Sequence, residues 1–68
     1  MNIKQKFGLK IKELRKIRGL SQEKLANLAE IDRTYLPTIE KGVRNVSIEI
    51  IEKLANALEV KIKDLFDE

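Results

Sequence analysis

Apolar side chains recur at the spacing of an α-helix in two short, adjacent segments of the chain. The first segment holds Leu25, Ala26, Leu28 and Ala29, and the second holds Tyr35, Leu36 and Ile39. Ser21 and Asp32 lie before the two segments, and each has a side-chain oxygen that can accept from the exposed N–H groups of a first helical turn. The pattern predicts two short helices within residues 21–41, joined by a tight turn at Glu30 and Ile31.

A longer amphipathic segment precedes this pair. We expect a helix that begins at Asn2, with Gln5 reaching back to complete a capping box, and that ends at Gly19 in a left-handed cap. Gly8 lies inside this helix and predicts a close contact with another helix, since glycine costs about 1 kcal/mol relative to alanine there. The inward-facing residues are predicted to be Ile3, Phe7, Ile11, Leu14 and Ile17.

Two further helices are predicted towards the end of the chain, within residues 47–66. Ser47 can cap a fourth helix, and a last short helix is expected over residues 61–66. The fourth helix is expected to bury Ile48, Ile51, Leu54, Ala55 and Leu58. Because 68 residues bury only a small core, we expect one compact all-α domain of five helices, residues 1–68.

The composition restricts the chemistry of such a domain. Cys and His are both absent, which excludes zinc fingers, thiol nucleophiles, disulfides and histidine acid-base catalysis. Carboxylates are plentiful, but they lie at predicted solvent-facing positions without a nucleophile or a metal-binding cluster. We therefore expect no enzyme activity, no metal, no cofactor and no small-molecule substrate.

The N-terminal residues MNIKQKFGLK are basic, but they contain no apolar run long enough for a signal peptide. Nowhere do apolar residues approach the length of a membrane span. The expectation is a soluble cytoplasmic protein without a membrane partner.

The net charge of +3 is unevenly distributed along the chain. Residues 1–18 carry a net charge of +6, residues 19–44 carry none, and residues 45–68 carry −3. Such an asymmetry can orient a protein against a polyanion. The alternative is that the lysines of the first segment only keep an amphipathic helix in solution.

The segment SQEKLANLAEIDRTYLPTIEKG resembles the helix-turn-helix of Cro/C1-type regulators, which include phage repressors. The resemblance extends from FGLKIKELRKIRGLSQEKLA to NVSIEIIEKLANALEV and so covers nearly the whole chain. Within this family, DRTY followed by IEKGVRN most resembles the controller proteins of restriction-modification systems. The resemblance implies a lambda-repressor-like fold and a transcriptional regulator that binds double-stranded DNA.

In such a regulator, side chains at the start of the second helix of the motif reach base edges in the major groove. The corresponding residues here are Arg33, Thr34, Pro37 and Thr38. Arg33 is the strongest candidate, because its planar fork can bond both acceptors of a guanine edge; contact with a phosphate or with solvent alone are the alternatives. Pro37, at the expected fifth position of that helix, predicts a kinked or loosened first turn.

The resemblance also implies contacts to the DNA backbone. These would come from Gln22, Tyr35, Lys41, Arg44 and Asn45, with core packing as the alternative role of the tyrosine. The resemblance further implies a structural salt bridge between Arg15 and Glu40. Glu30 stands where many relatives have glycine, so we expect a left-handed backbone there.

A single recognition helix covers few base pairs, so proteins of this kind generally act as two-fold dimers. We expect a homodimer whose interface lies in the last two helices, with completion of the core as the alternative role of the same side chains. The candidate interface residues are Val60, Ile62, Leu65 and Phe66. A different functional class is also open, namely the antitoxin of a toxin-antitoxin pair, although no extra segment is evident that would cover a toxin.

Overall fold

Side-chain caps begin three of the helices in the computed structural model, which describes residues 1–67. Asn2 and Gln5 exchange two hydrogen bonds of 2.9 Å between side chain and backbone and so form the expected capping box. The hydroxyl of Ser21 accepts from the N–H of Lys24 at 3.0 Å, and the hydroxyl of Ser47 accepts from the N–H of Ile50 at 3.2 Å. The predicted caps at Asn2, Ser21 and Ser47 are confirmed.

The described residues form four α-helices and no strand. The α-helices are α1 (Ile3–Ile17), α2 (Gln22–Ala29), α3 (Tyr35–Glu40) and α4 (Ile48–Leu58). The fifth helix is a 3₁₀ helix, Ile62–Leu65, where residues 61–66 were expected to be helical. The all-α fold is confirmed, and no helix in residues 1–67 is long and apolar enough to cross a membrane.

The predicted helix ends are also present. Gly19 has φ +68°, and the N–H of Leu20 donates to the carbonyl of Arg15 at 3.0 Å, which closes α1. Glu30 ends α2 with φ 57°, so the expected left-handed backbone is confirmed. Glu59, which the sequence analysis did not identify as a helix end, ends α4 in the same way, with φ 58°.

The core lies between all five helices and is built from eleven buried apolar side chains. They are Phe7, Ile11, Leu25, Ala26, Ala29, Leu36, Ile39, Leu54, Ala55, Leu58 and Leu65. Leu14 and Ile51 are partly buried against this cluster. Helices α1 and α2 therefore both pack against α3 and hold it by its apolar face.

Four residues that we predicted to face inward are exposed, so those predictions are wrong. Ile3, Ile17 and Ile48 are first or last residues of their helices, where the small core no longer reaches. Leu28 points away because, at 3.6 residues per turn, it lies roughly a third of a turn from the middle of the buried face of α2. Periodicity alone could not separate these positions from the core.

The close contact expected at Gly8 is confirmed. A Cβ atom on this residue would overlap the carbonyl oxygen of Ile39 and lie 2.9 Å from that of Glu40. The backbone of α1 therefore touches the end of α3, and only glycine fits between them. This contact fixes the position of α3 from its C-terminal side.

Candidate nucleic-acid interface

The start of α3 differs from the sequence-based prediction. The carboxylate of Asp32 accepts from the N–H of Thr34 at 2.8 Å and from its hydroxyl at 2.7 Å. The N–H of Tyr35 donates to the carbonyl of Asp32 at 3.0 Å. Residues 32–35 therefore form a tight turn, and α3 begins at Tyr35 rather than directly after Asp32. Asp32 acts as expected on exposed N–H groups, but it caps a turn.

The hydrogen bonds from Thr34 have an electrostatic consequence. Because the backbone N–H and then the hydroxyl of Thr34 stabilise the ionised carboxylate, the pKa of Asp32 lies below its usual value of 3.8. Asp32 is therefore charged at neutral pH. This charge holds the turn that carries Arg33 and Thr34.

Pro37 is the third residue of α3 and not the fifth residue of a longer helix, so that prediction is wrong. In a first helical turn, a missing N–H removes no intrahelical hydrogen bond. The carbonyl of Pro37 accepts from the N–H of Lys41 at 3.0 Å, as in a regular helix. The irregular backbone lies before α3, in the turn, and Pro37 leaves the helix itself intact.

Helix α3 and the turn before it have a buried side and an exposed side. Leu36 and Ile39 are 0% and 1% exposed and form part of the core. Arg33 and Thr34 are exposed, whereas Pro37 and Thr38 are half-buried. The four predicted base-contacting residues therefore all keep part of their surface in solvent, while the buried pair anchors the element that carries them.

The side chain of Arg33 is engaged by α2. Its Nη1 donates to Oε2 of Glu23 at 2.9 Å, and both side chains remain more than 60% exposed. Glu23 lies in the first turn of α2, next to Gln22. The sequence analysis did not identify Glu23, because contacts between different elements leave no periodic signal.

Arg44 is tied to α3 by two contacts. Its guanidinium carbon lies 4.4 Å from the centre of the Tyr35 ring, and its Nε donates to Oγ1 of Thr38 at 2.9 Å. The hydroxyl of Thr38 in turn donates to the carbonyl of Tyr35 at 2.8 Å. Arg44 therefore belongs to the same rigid unit as α3, although it lies in the loop after that helix.

The same contacts describe two other candidates. The hydroxyl proton of Thr38 is already used within the helix, so this side chain offers its methyl group and an acceptor rather than a donor. The ring of Tyr35 is half-buried beneath Arg44, which combines the core and surface roles considered for it. Lys41 and Asn45, which precede and follow this part of the loop in the sequence, are both exposed.

An ion pair with largely buried side chains joins α1 to the end of α3. Nε of Arg15 donates to Oε2 of Glu40 at 2.7 Å, Nη2 donates to Oε1 at 3.0 Å, and Nη1 donates to the carbonyl of Leu20 at 2.8 Å. The hydrogen bond with Glu40 raises the pKa of Arg15 above its usual value. The structure thus brings together the two residues that the sequence analysis paired.

Gln22 joins the same network. Its Nε2 donates to Oε1 of Glu40 at 3.0 Å, which fixes the amide at the start of α2. The sequence analysis assigned this amide to a DNA phosphate. Because an amide nitrogen carries two N–H bonds, one of them remains available for such a contact.

The candidate dimer residues do not all reach the surface. Leu65 is 1% exposed and belongs to the core, so its prediction as an interface residue is wrong. Ile62 and Phe66 are nearly half exposed, and Val60 is half-buried. The ring of Phe66 also packs against Phe7, with 5.3 Å between the ring centres. Leu65 is buried because the 3₁₀ helix folds back against α1 and α4.

Across residues 1–67, no group of three or more acidic side chains is arranged to hold a metal ion. The hydrogen-bond donors around α3 are Arg33, Arg44 and the side-chain amide of Gln22; the carboxylate of Glu23 lies beside Arg33. Such donors suit phosphate oxygens and the acceptors on base edges.

The sequence matches a known protein family. Residues 11–65 match the helix-turn-helix family HTH_3. The control protein C.BamHI of Bacillus amyloliquefaciens is 48% identical over 67 residues, which covers 97% of this chain and 83% of the relative.

Two solved structures are similar to the fold. The restriction-modification controller protein C.AhdI from Aeromonas hydrophila has a TM-score of 0.90 and 49% sequence identity, covering 93% of this chain and 96% of that chain. SinR, the master regulator for biofilm formation solved in complex with DNA, has a TM-score of 0.85 and 37% identity, covering 90% of this chain and 98% of the other.

Proposed function

The chain belongs to the helix-turn-helix family HTH_3, and from this premise we propose that it is a sequence-specific transcriptional regulator that binds double-stranded DNA. The similarity to C.BamHI and C.AhdI supports a controller protein of restriction-modification genes as the particular role. The DNA in the SinR complex supports the same mode of action.

One observation carries the proposal more than any other. The turn before α3 holds Arg33 and Thr34 in solvent, while Leu36 and Ile39 fix the same element in the core. A major groove admits one α-helix, whose N-terminal side chains reach the base edges. A helix anchored in the core, with the exposed guanidinium of Arg33 in the turn before it, has the shape and the chemistry for this task.

The proposed reading roles follow from the side chains. Arg33 would bond both acceptors of a guanine edge, and Thr34 would bond a base or contact a thymine methyl group. Pro37 and the methyl group of Thr38 would provide apolar contacts further along the groove. These four residues would supply the sequence preference.

The proposed backbone contacts lie on both sides of α3. The second amide N–H of Gln22 and the N-terminus of α2 would bind one phosphate. Arg44, which stacks on the ring of Tyr35, would bind the DNA backbone at a second place. Lys41 and Asn45, which are close to Arg44 in the sequence, would add to this contact. Such contacts fix the register of a protein on DNA and supply much of its affinity.

We propose that the regulator acts as a homodimer of a single domain spanning residues 1–68. One recognition helix reads only a few base pairs, and two half-sites one helical turn apart, about 34 Å, would give a unique site. The exposed parts of Ile62 and Phe66, with Val60, are the proposed interface. Ile62 lies in the 3₁₀ helix and Phe66 directly after it, so both are far from α3 in the sequence.

The experiment that tests the function is the selection of bound duplexes from a randomised pool at near-physiological salt. Wild type, Arg33→Ala and Arg18→Ala are compared in parallel. Arg18 is the matched control, since it is also an arginine in a surface ion pair, with Glu59 at 3.0 Å on the end of α4.

We expect the wild type to enrich a palindrome with half-sites one helical turn apart. Arg33→Ala should lose the preference at one base pair per half-site, whereas Arg18→Ala should recover the same palindrome. Failure of the wild type to enrich any sequence would contradict the proposed function and would favour a protein partner, such as a toxin.

A further inference from the structure

Glu23 places an exposed carboxylate beside Arg33, the strongest candidate for base contact. It lies in the first turn of α2, directly after Gln22, the residue proposed to bind a DNA phosphate. A carboxylate near DNA is repelled by phosphate, so its presence weakens binding to every duplex. Within residues 1–67, this carboxylate accepts a hydrogen bond from Arg33.

The geometry of that contact leaves most of Arg33 available. Only Nη1 of the guanidinium donates to Glu23, at 2.9 Å. A guanidinium has five N–H donors in a planar fork, so the remaining donors along Nη2 and Nε can still bond a guanine edge. Glu23 thus binds the Nη1 group of Arg33 and leaves the Nη2 and Nε donors free to bond a base.

We propose that Glu23 is a specificity-determining residue that positions Arg33. This inference rests on the proposed function. On the correct sequence, Arg33 bonds a base edge while Glu23 retains its contact with Nη1. On other sequences, Arg33 gains most by turning to a phosphate, and Glu23 opposes that movement, because the ion pair would break and leave the carboxylate unpaired beside DNA.

Glu23 therefore lowers affinity for non-specific DNA more than it lowers affinity for the operator. Because both side chains are more than 60% exposed, water screens the pair, and its effect is that of a surface ion pair. We expect the ratio of specific to non-specific affinity to fall by about twofold to fivefold when the pair is removed.

The test compares dissociation constants for the duplex recovered by selection and for a scrambled duplex of the same length, at one salt concentration. The proteins are wild type, Glu23→Gln, Arg33→Ala and the double variant. Glu13→Gln is the matched control, because Glu13 is also an exposed carboxylate in an ion pair, with Lys10 at 3.4 Å on α1. Each glutamine variant changes the net charge equally.

We expect Glu23→Gln to bind the scrambled duplex more tightly and to discriminate less, whereas Glu13→Gln should keep the wild-type ratio. In the Arg33→Ala background, Glu23→Gln should leave the ratio unchanged, because the residue that Glu23 positions is absent. Circular dichroism and equal thermal midpoints would show that the variants are folded.

Two results would overturn the inference. If Glu23→Gln raised both affinities by the same factor, Glu23 would act only through its charge. If it lowered the ratio in the Arg33→Ala background as well, Glu23 would read DNA itself. Equal affinity of the wild type for the two duplexes is a separate outcome, and it would contradict the proposed function together with this inference.

Discussion

Arg15 and Glu40 form a two-point ion pair between α1 and the last residue of α3, with 2.7 Å between Nε and Oε2. Their side chains are only 11% and 5% exposed. Water therefore screens this pair far less than the surface pairs of the protein. The pair and the close contact at Gly8 fix the same end of α3.

Replacement of Glu40 by glutamine should destabilise the fold strongly. The change leaves the Arg15 guanidinium buried without a counter-charge, and removal of one partner of a buried pair costs about 3–5 kcal/mol. Urea unfolding monitored by circular dichroism would measure the loss. Glu13→Gln, which removes the exposed partner of the Lys10–Glu13 pair, should cost at most about 1 kcal/mol. A Glu40→Gln variant with the wild-type midpoint would contradict the structural role of the pair.

Gly8→Ala should also destabilise the protein, although alanine favours helices. The new Cβ atom would overlap the carbonyl oxygen of Ile39, so α1 and α3 would have to move apart, at a cost of about 1–3 kcal/mol. Gly19→Ala is the comparison, because its φ of +68° is strained for alanine but no atom lies within 4 Å of the added Cβ. Unchanged thermal stability of Gly8→Ala would show that the two backbones are not in close contact.

Glu30→Gly should leave the stability unchanged or raise it by up to about 1 kcal/mol. Glu30 adopts φ 57°, which strains an L-residue, and glycine relieves the strain at the expense of a more flexible unfolded chain. Glu30→Ala retains a Cβ atom at the same φ and should give no such gain. Thermal unfolding of both variants measures the difference, and clear destabilisation by Glu30→Gly would refute this account.

Arg44→Ala should weaken binding to all duplexes and reduce the slope of log affinity against log salt by about 1. Arg44 is proposed to bind the DNA backbone, so a protein without it neutralises one phosphate fewer and releases fewer counterions when it binds. Arg44→Lys loses the planar fork that stacks on Tyr35 and bonds Thr38. Because lysine keeps the positive charge, this variant should keep most of the slope. Fluorescence anisotropy titrations at several salt concentrations would measure both effects.

A different result would reassign Arg44. If Arg44→Ala changed the preference at one base pair and left the salt dependence intact, Arg44 would read sequence rather than bind the backbone.

Local signals predicted much of the fold correctly. Caps at Ser21 and Ser47 and the end at Gly19 depend on a few neighbouring residues, so the sequence contains all the information for them. The end of α4 at Glu59 was missed, although a signal existed. The string EKLAN occurs at residues 23–27 and again at 52–56, and both copies lead into a left-handed glutamate.

Features that depend on the neighbourhood in space were harder to predict. Ile48 has the right spacing for the core, but the core ends before it. Asp32 has the right side chain for a helix cap, but Asp also stabilises turns, and here its carboxylate holds a turn that precedes α3 in the sequence. The contacts of Glu23 with Arg33 and of Arg44 with Tyr35 join separate elements, so the spacing of residues along the chain does not predict them.

The division of α3 and the turn before it into a buried side and an exposed side has an evolutionary consequence. Leu36 and Ile39 are buried in the core and cannot change without cost to folding, whereas Arg33 and Thr34, in the turn before α3, are exposed. Substitutions at these exposed positions can therefore accumulate while the domain still folds. Descendants of one ancestral domain could diverge to recognise different operators and so regulate separate genes in the same cell without interfering with one another.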